Sequence, residues 1–414
     1  MSTKRRVVIT GAGAITSLAN SLEETWKNLL MGASGIRTIT RFDPSAFDVK
    51  IAGEVKNFNP DECIAKKDQK KMDLFIQYAI ASTQMAMRQA QLEITDKQSD
   101  QIGCYIGVGM GGLPMIEEQH QKYLEKGASR ISPFFIPGVI SNLASGYLSI
   151  LFNIKGPNFT ITSACASGAH AIGEAFRLIQ NGEVEVMIAG GTEATVCPMA
   201  IGGFAAMKAL SQRNLEPERA SRPFDRDRDG FVLAEGSATL ILESLDHAKK
   251  RGAKILCELT GYGASSDAHH ITAPAPAGVG GLQAMRKALQ SAALRPSDIQ
   301  YINAHGTSTP TGDELETQAI KNLFENHAAK VWVSSTKSMT GHALGAAGAI
   351  ESAFCIMSIQ DQVVPPTINL ENPGQGCDLD YVANHYREGR ILNVMNNSFG
   401  FGGTNACLIF SKYQ

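Results

Sequence analysis

The chain writes one unit twice, and that echo restricts its fold more than any other feature of the sequence. Three short segments recur in the same order: "VVITGAGA" (7–14) returns as "CELTGYGA" (257–264), and "CYIGVG" (104–109) as "QYINAHG" (300–306). "NFTITSACASGAHAIGEAF" (158–176) returns as "KVWVSSTKSMTGHALGAAGAIESAF" (330–354). The offset shrinks from roughly 250 residues to roughly 172, so the first copy must hold extra sequence, placed around 112–155 and 200–235. A boundary near residue 250 follows, giving an N-terminal half of 1–250 and a C-terminal half of 251–414.

Each copy alternates short β-branched runs such as "RVVIT", "VEVMIAG" and "KVWVSS" with helical patterns such as "GGLQAMRKALQSA". That alternation is the mark of strands crossing through helices, and it predicts a duplicated α/β fold. The Ala/Gly-rich segment around 344–350 lacks a wide apolar stripe and lets backbones approach closely, so it belongs in a buried middle layer between two sheets.

Composition narrows the function. With 43% hydrophobic residues in 414, the chain can bury a large core, and a net charge of -2 argues against a surface that coats nucleic acid or membrane. The start, "MSTKRRVVIT", lacks the apolar core of an export signal, and no stretch approaches the ~18–20 apolar residues of a membrane span. The expected location is the cytoplasm. Eight scattered cysteines without a CxxC pair suit reduced thiols better than disulfides or a zinc site, and neither metal nor cofactor is expected.

Cys165 is the cysteine that raises a question. The β-branched "TIT" followed by "SACASGAH" puts its thiol at a strand-to-helix turn, where free N–H groups and the helix dipole favour a thiolate. Taken alone, the stretch fits a small buried structural cysteine equally well. His170, five positions on, lies about 140° around a helix from Cys165 and reads as structural. His305 and His342 are different, because glycines and hydroxyls surround them and each sits at a repeat-equivalent turn. The segment of His342 is the repeat's counterpart of the cysteine turn, so the two turns should face each other across a pseudo-twofold axis.

These residues also carry a family resemblance. "TSACASG" (162–168), "RPFDRDRDGFVLAEG" (222–236), "NAHGTSTPTGD" (303–313), "KSMTGHALGAAG" (337–348) and "NSFGFGGTN" (397–405) stand in the order found in β-ketoacyl-acyl carrier protein synthases. The chain resembles that family of thiolase-like condensing enzymes over nearly its whole length, and most closely the stand-alone type II enzymes of bacterial fatty acid synthesis. The resemblance implies a five-layered αβαβα sandwich and a decarboxylative condensation of an acyl chain with malonyl carrier protein. Cys165 would carry the acyl group as a thioester, and the N–H groups of Cys165 and Phe401 would hold the oxyanion. His305 and His342 would donate to the malonyl thioester as carbon dioxide leaves.

The same resemblance assigns supporting parts. Lys337 would pair with Glu351 and hold the His342 turn, while Asp313 and Glu316 would orient the His305 turn. Thr272, Thr307 and Thr309 would meet the carrier's pantetheine arm, beside Phe399, Gly400 and Gly402 of the glycine loop, where Phe401 doubles as a gate. Met110, Phe135 and Phe204 would line an acyl tunnel. Lys66, Lys67, Lys70 and Lys71 with Arg130 and Lys208 would dock an acidic acyl carrier protein, and a homodimer is implied. Ala343, Met110 and Lys208 stand where the family often has threonine, isoleucine and arginine; the methionine puts chain-length preference in doubt.

Four other readings compete. "VVITGAGAIT" resembles the phosphate turn of a nucleotide-binding oxidoreductase, but Thr16 replaces the third glycine and the motif recurs at 260–264. A non-catalytic chain-length-factor relative would lack Cys165. A thiolase would need a second cysteine within the glycine loop, whereas Cys407 lies beyond it. A stand-alone polyketide ketosynthase shares every motif and stays open.

Overall fold

The computed structural model describes residues 4–414; residues 1–3, which begin the expected N-terminal half, lie outside the described residues. Both copies of the Thr-Gly-x-Gly-Ala echo lie inside strands. The first strand, β1 (Val7–Thr16), is buried throughout, and a Cβ at Gly11 or Gly13 would sit 2.2 Å from the Ala86 or Ser82 carbonyl of helix α1 (Leu74–Ala90). In the second copy, strand β6 (Cys257–Ser266) repeats the contact. A Cβ at Gly261 or Gly263 would lie 2.5 or 2.1 Å from the carbonyls of Ala288 and Ala284 in helix α4 (Val279–Ala292). The glycines therefore let a helix lie directly on a strand, and they do not form a phosphate turn.

The remaining strands of the first copy are β2 (Ile102–Gly107), β3 (Asn158–Ile161), β4 (Val186–Glu193) and β5 (Gly236–Ser244). Those of the second are β7 (Tyr301–Asn303), β8 (Trp332–Ser334), β9 (Asn393–Gly400) and β10 (Thr404–Ser411). They form one run in the order β8-β7-β9-β10-β6-β1-β5-β4-β2-β3. Read outward from the centre, both halves have the same order and the same pairings: parallel at the outer strands, antiparallel at the inner ones. A short antiparallel contact, Val7 opposite Leu259 and Ile9 opposite Cys257, joins them.

The helices complete five layers. On one outer face α1 packs on β1 and β5 with α2 (Leu143–Phe152) beside it; on the other, α4 packs on β6 and β10 with α5 (Pro310–Phe324) beside it. Between the half-sheets lie α3 (Ser167–Asn181) and α6 (Ala347–Asp361), which touch each other and strands of both copies. Helix α6 is buried along almost its whole length, so its alanines and glycines are what a helix covered on every side requires. The fold is the thiolase-like sandwich.

The extra sequence of the first copy falls at the two expected insertions and also between β1 and β2, where residues 17–101 outnumber the equivalent residues 267–300 between β6 and β7. Residues 108–157, between β2 and β3, carry a helix at Leu113–Lys126, a short one at Phe135–Val139, and α2. Residues 194–235, between β4 and β5, have no counterpart at the tight β9–β10 turn. The second insertion reaches the site directly: Val232 O accepts from His342 N at 2.8 Å, and Ala234 N donates to His342 O at 2.9 Å.

Candidate active site

Cys165, His305 and His342 each follow the C-terminal end of a parallel strand, where an α/β sheet collects its ligands. Cys165 follows β3 in a turn whose preceding residue, Ala164, holds a positive φ of 51°, a conformation a side chain adopts only under local constraint. His305 follows β7. His342 comes after β8 and a helical turn, Lys337–Thr340, that ends at Gly341 with φ +74°.

The three side chains meet in one cavity of about 680 Å³. His342 Nε2 lies 3.0 Å from Cys165 Sγ, and the His305 ring stands edge-on to His342 with centroids 5.4 Å apart. Phe231 packs edge-on against His342 from the second insertion, at 5.3 Å. The backbone N–H groups of Phe401 and of Cys165 itself lie close enough to the sulfur to pull its thiol down. Phe401 lies in the turn after β9, where Gly402 takes φ +79°. At Gly400 a Cβ would stand 2.7 Å from Ser163 O and 3.2 Å from Cys165 N, so only glycine lets the loop lie against the cysteine turn.

The electrostatics revise one expectation. Cys165 is not a resting thiolate: burial pushes its thiol up to about 12, although Lys337 and the Phe401 N–H pull it down. Helix α3 starts only at Ser167, and the desolvation outweighs what its N-terminus offers. Both imidazoles move the other way. Burial and then Lys337 hold His305 and His342 well below the ordinary histidine range, so both rings are neutral at neutral pH. A neutral ring at 3.0 Å can take the thiol proton as the sulfur attacks, and neutral rings can donate to a developing oxyanion without protonating carbon.

Buried ionic groups hold these turns. Lys337 Nζ donates to Glu351 Oε1, both out of water, and burial pushes Glu351 up to about 7 against the pull of Lys337. Glu316 accepts from the His305 and Gly306 N–H groups, each at 2.8 Å. Asp313 accepts from Ser308 N at 3.2 Å and from Phe224 N at 2.8 Å, and burial raises it to about 7. Glu193, at the end of β4, plays the equivalent part in the first copy and was not picked out from sequence. It accepts from Gly109 and Gly345 at 2.9 and 3.1 Å and from Met110 at 3.1 Å, tying the loop after β2 to the His342 turn. Its signal was a lone carboxylate closing an apolar strand.

The other expected residues divide. Thr272, Thr307, Thr309, Phe399, Gly400, Met110, Phe204 and Lys208 line the cavity with the three reactive groups, while Gly402 shapes the turn beside it. Phe135 does not line it; it sits half-buried in the short Phe135–Val139 helix, away from the thiol in this chain. Lys66, Lys67, Lys70 and Arg130 are exposed, and Lys71 is paired with Asp68 at 2.6 Å. Among the described residues, no group of three His, Cys, Asp or Glu side chains is arranged to hold a metal ion.

Comparison with known proteins gives a consistent answer. The family model for the β-ketoacyl synthase N-terminal domain matches residues 4–248, and that for the C-terminal domain matches 256–371. A 3-oxoacyl-[acyl-carrier-protein] synthase 2 from Coxiella burnetii is 52% identical over 409 residues, 99% of each chain. A β-ketoacyl synthase from Burkholderia phymatum superposes with a TM-score of 0.91 at 34% identity, covering 99% of this chain and all of that one. A type II PKS acyl-carrier protein in complex with its ketosynthase bound to the hexaketide gives 0.92 at 33% identity, with the same coverage.

Proposed function

Because this chain belongs to the β-ketoacyl synthase family, we propose that its cavity performs the elongating condensation of 3-oxoacyl-acyl carrier protein synthesis, with Cys165 as nucleophile. The observation that carries the reading is the 3.0 Å approach of His342 Nε2 to Cys165 Sγ inside a cavity that also holds the His305 ring.

The enzyme is an acyltransferase that forms a carbon–carbon bond. In the first step Cys165 Sγ attacks the thioester carbonyl of an acyl carrier protein as its proton passes to His342. The tetrahedral oxyanion sits between the Phe401 and Cys165 N–H groups, and its collapse expels the carrier's thiol, which takes the proton back. In the second step malonyl carrier protein enters, and its C–C bond to the carboxylate breaks to release carbon dioxide. The electron pair left behind forms an enolate, whose oxygen the neutral His305 and His342 rings hold by hydrogen bonds. The enolate carbon then attacks the Cys165 thioester, Sγ leaves as a thiolate that takes a proton from solvent to restore the thiol, and a 3-ketoacyl chain two carbons longer departs on the carrier.

The supporting roles belong to the same proposal. Thr272, Thr307 and Thr309 supply hydroxyls suited to the uncharged amide arm of pantetheine, and Met110 and Phe204 flank the acyl chain. The exposed Lys66, Lys67, Lys70, Arg130 and Lys208 suit an acidic carrier, and a carrier complex of a related ketosynthase supports that partner. Phe135 keeps its proposed pocket role only if a second chain supplies the cavity it reaches. The repeated strand order supports reading residues 1–250 as the half with the nucleophile and 251–414 as the half with the histidines. No helix among the described residues is long and apolar enough to cross a membrane; we place the enzyme in the cytoplasm.

The test is incubation with a C12–C16 acyl carrier protein and malonyl carrier protein, read by mass spectrometry. An acyl adduct on Cys165 and a 3-ketoacyl product two carbons longer, both absent in Cys165→Ala, are the expected result. An adduct without product would remove the role given to the histidines, and no adduct would leave a non-catalytic relative. A growing polyketide on the carrier would favour the polyketide reading.

A further inference from the structure

His170 takes no part in these steps, yet it lies between the two strands of backbone that make the oxyanion hole. It occupies the first turn of α3, and helical side chains lean toward the helix N-terminus, so its ring reaches back past Cys165 to Ser163. Ser163 Oγ and His170 Nδ1 are 2.7 Å apart. The backbone of Asn405, on β10 just after the glycine loop, stands near the same ring and acts against the lowering by burial. The ring packs edge-on to Tyr262 of β6 at 6.3 Å, and Tyr262 faces Leu408 of β10. A backbone group that favours the protonated ring acts as an acceptor, so the neutral ring turns its N–H toward Asn405 and takes the Ser163 O–H at Nδ1. Burial holds His170 below the ordinary histidine range, which keeps this donor–acceptor pair intact at neutral pH.

The place of Ser163 gives the contact its meaning. It stands two residues before Cys165, across the positive-φ Ala164, and its own carbonyl accepts from Thr404 Oγ1 at 2.8 Å. Side chain and main chain of Ser163 are thus both tied toward β10, one through His170 and one through Thr404. We propose that His170 is a positioning residue that sets the spacing between the Cys165 N–H on the nucleophile turn and the Phe401 N–H on the glycine loop. The proposal rests on the condensing-enzyme reading. It predicts a defect in acyl transfer to Cys165, which uses that oxyanion hole, and none in malonyl decarboxylation, which uses the two catalytic histidines.

The experiment measures the half-reactions separately on the full-length enzyme: acyl adduct formation on Cys165 from acyl carrier protein, and carbon dioxide release from malonyl carrier protein without an acyl donor. His170→Phe keeps a ring against Tyr262 and removes both nitrogens. Its acylation rate at saturating carrier should fall 10- to 100-fold, the effect of an oxyanion donor displaced by about 1 Å, with decarboxylation within threefold of wild type. Ser163→Ala should reproduce the defect, the double variant should be no slower than the slower single one, and His170→Asn should recover part of the rate. Wild-type acylation in His170→Phe overturns the proposal, as does an equal loss in both half-reactions together with a lowered unfolding midpoint. If His170→Phe does not fold, Ser163→Ala and His170→Asn decide by the same ratio. A wild-type enzyme that forms no adduct overturns the condensing reading instead, and the two failures are therefore distinct.

Discussion

Lys337 acts on three titrating groups without lining the cavity they share. It is fully buried against Glu351, it opposes the burial that raises Cys165, and it reinforces the burial that lowers His305 and His342. Removing the cation while keeping the volume, Lys337→Met, should move all three upward. The sign follows from charge alone: without a neighbouring cation the imidazoles accept a proton more readily and the thiol surrenders one less readily. The acidic limb of malonyl decarboxylation, which needs neutral rings, should shift to higher pH. The pH profile of Cys165 alkylation by iodoacetamide should shift upward too. A limb that stays in place or moves down would take Lys337 out of the site's electrostatics. The broken pair should also lower stability by about 3–5 kcal/mol in urea titration, and Glu351→Gln in the Lys337→Met background should restore part of it.

Among the elements, the strands and helices were largely legible because the duplication shows each type of element twice. The Thr-Gly-x-Gly-Ala echo marked two equivalent strands, but its cause was not legible: the carbonyls of Ala86 and Ala284 that exclude a Cβ belong to helices far along the chain. Gly263→Ala should therefore force α4 off β6 and cost about 1–3 kcal/mol, read as a drop in urea midpoint. Gly203→Ala, at an exposed position of the helix Pro198–Ala206 with nothing within 4 Å of the new Cβ, should be neutral or stabilising by up to about 1 kcal/mol. Equal costs would remove close packing as the reason for the echo. What the sequence could not show depends on burial or reach. The cysteine turn reads as thiolate-favouring locally, but desolvation by distant elements reverses it. His170 was set aside by its angle around the helix, whereas its ring travels along the helix axis to Ser163. Glu193 was missed because its donors come from two segments far apart in the chain, the loop at 109–111 and Gly345.

At the scale of the whole molecule, the ten-stranded run ends unevenly. Among the described residues, strand β3 has no partner on its outer side, and an open edge offers unpaired N–H and C=O groups to another chain. Beside it the apolar surface is not hidden: Phe159 on β3 is 61% exposed, and Ile150 and Leu151 on α2 are 75% and 52% exposed. An apolar patch at an unpaired edge is what a two-fold interface covers, and a second copy of β3 pairing antiparallel would satisfy edge and patch together. The homodimer that the family resemblance implies would lie at this edge, where the first insertion also lies. The wild-type enzyme should sediment at twice the chain mass, and Ile150→Lys/Phe159→Asp should sediment as a single chain over the same concentrations. Because all three side chains face solvent in one chain, the substitutions should leave the monomer's fold intact by circular dichroism. Leu215→Asp, at a residue 98% exposed in the second insertion, should leave the dimer unchanged. A dimer that survives the double substitution would move the interface away from β3, and the exposed edge would then need another occupant.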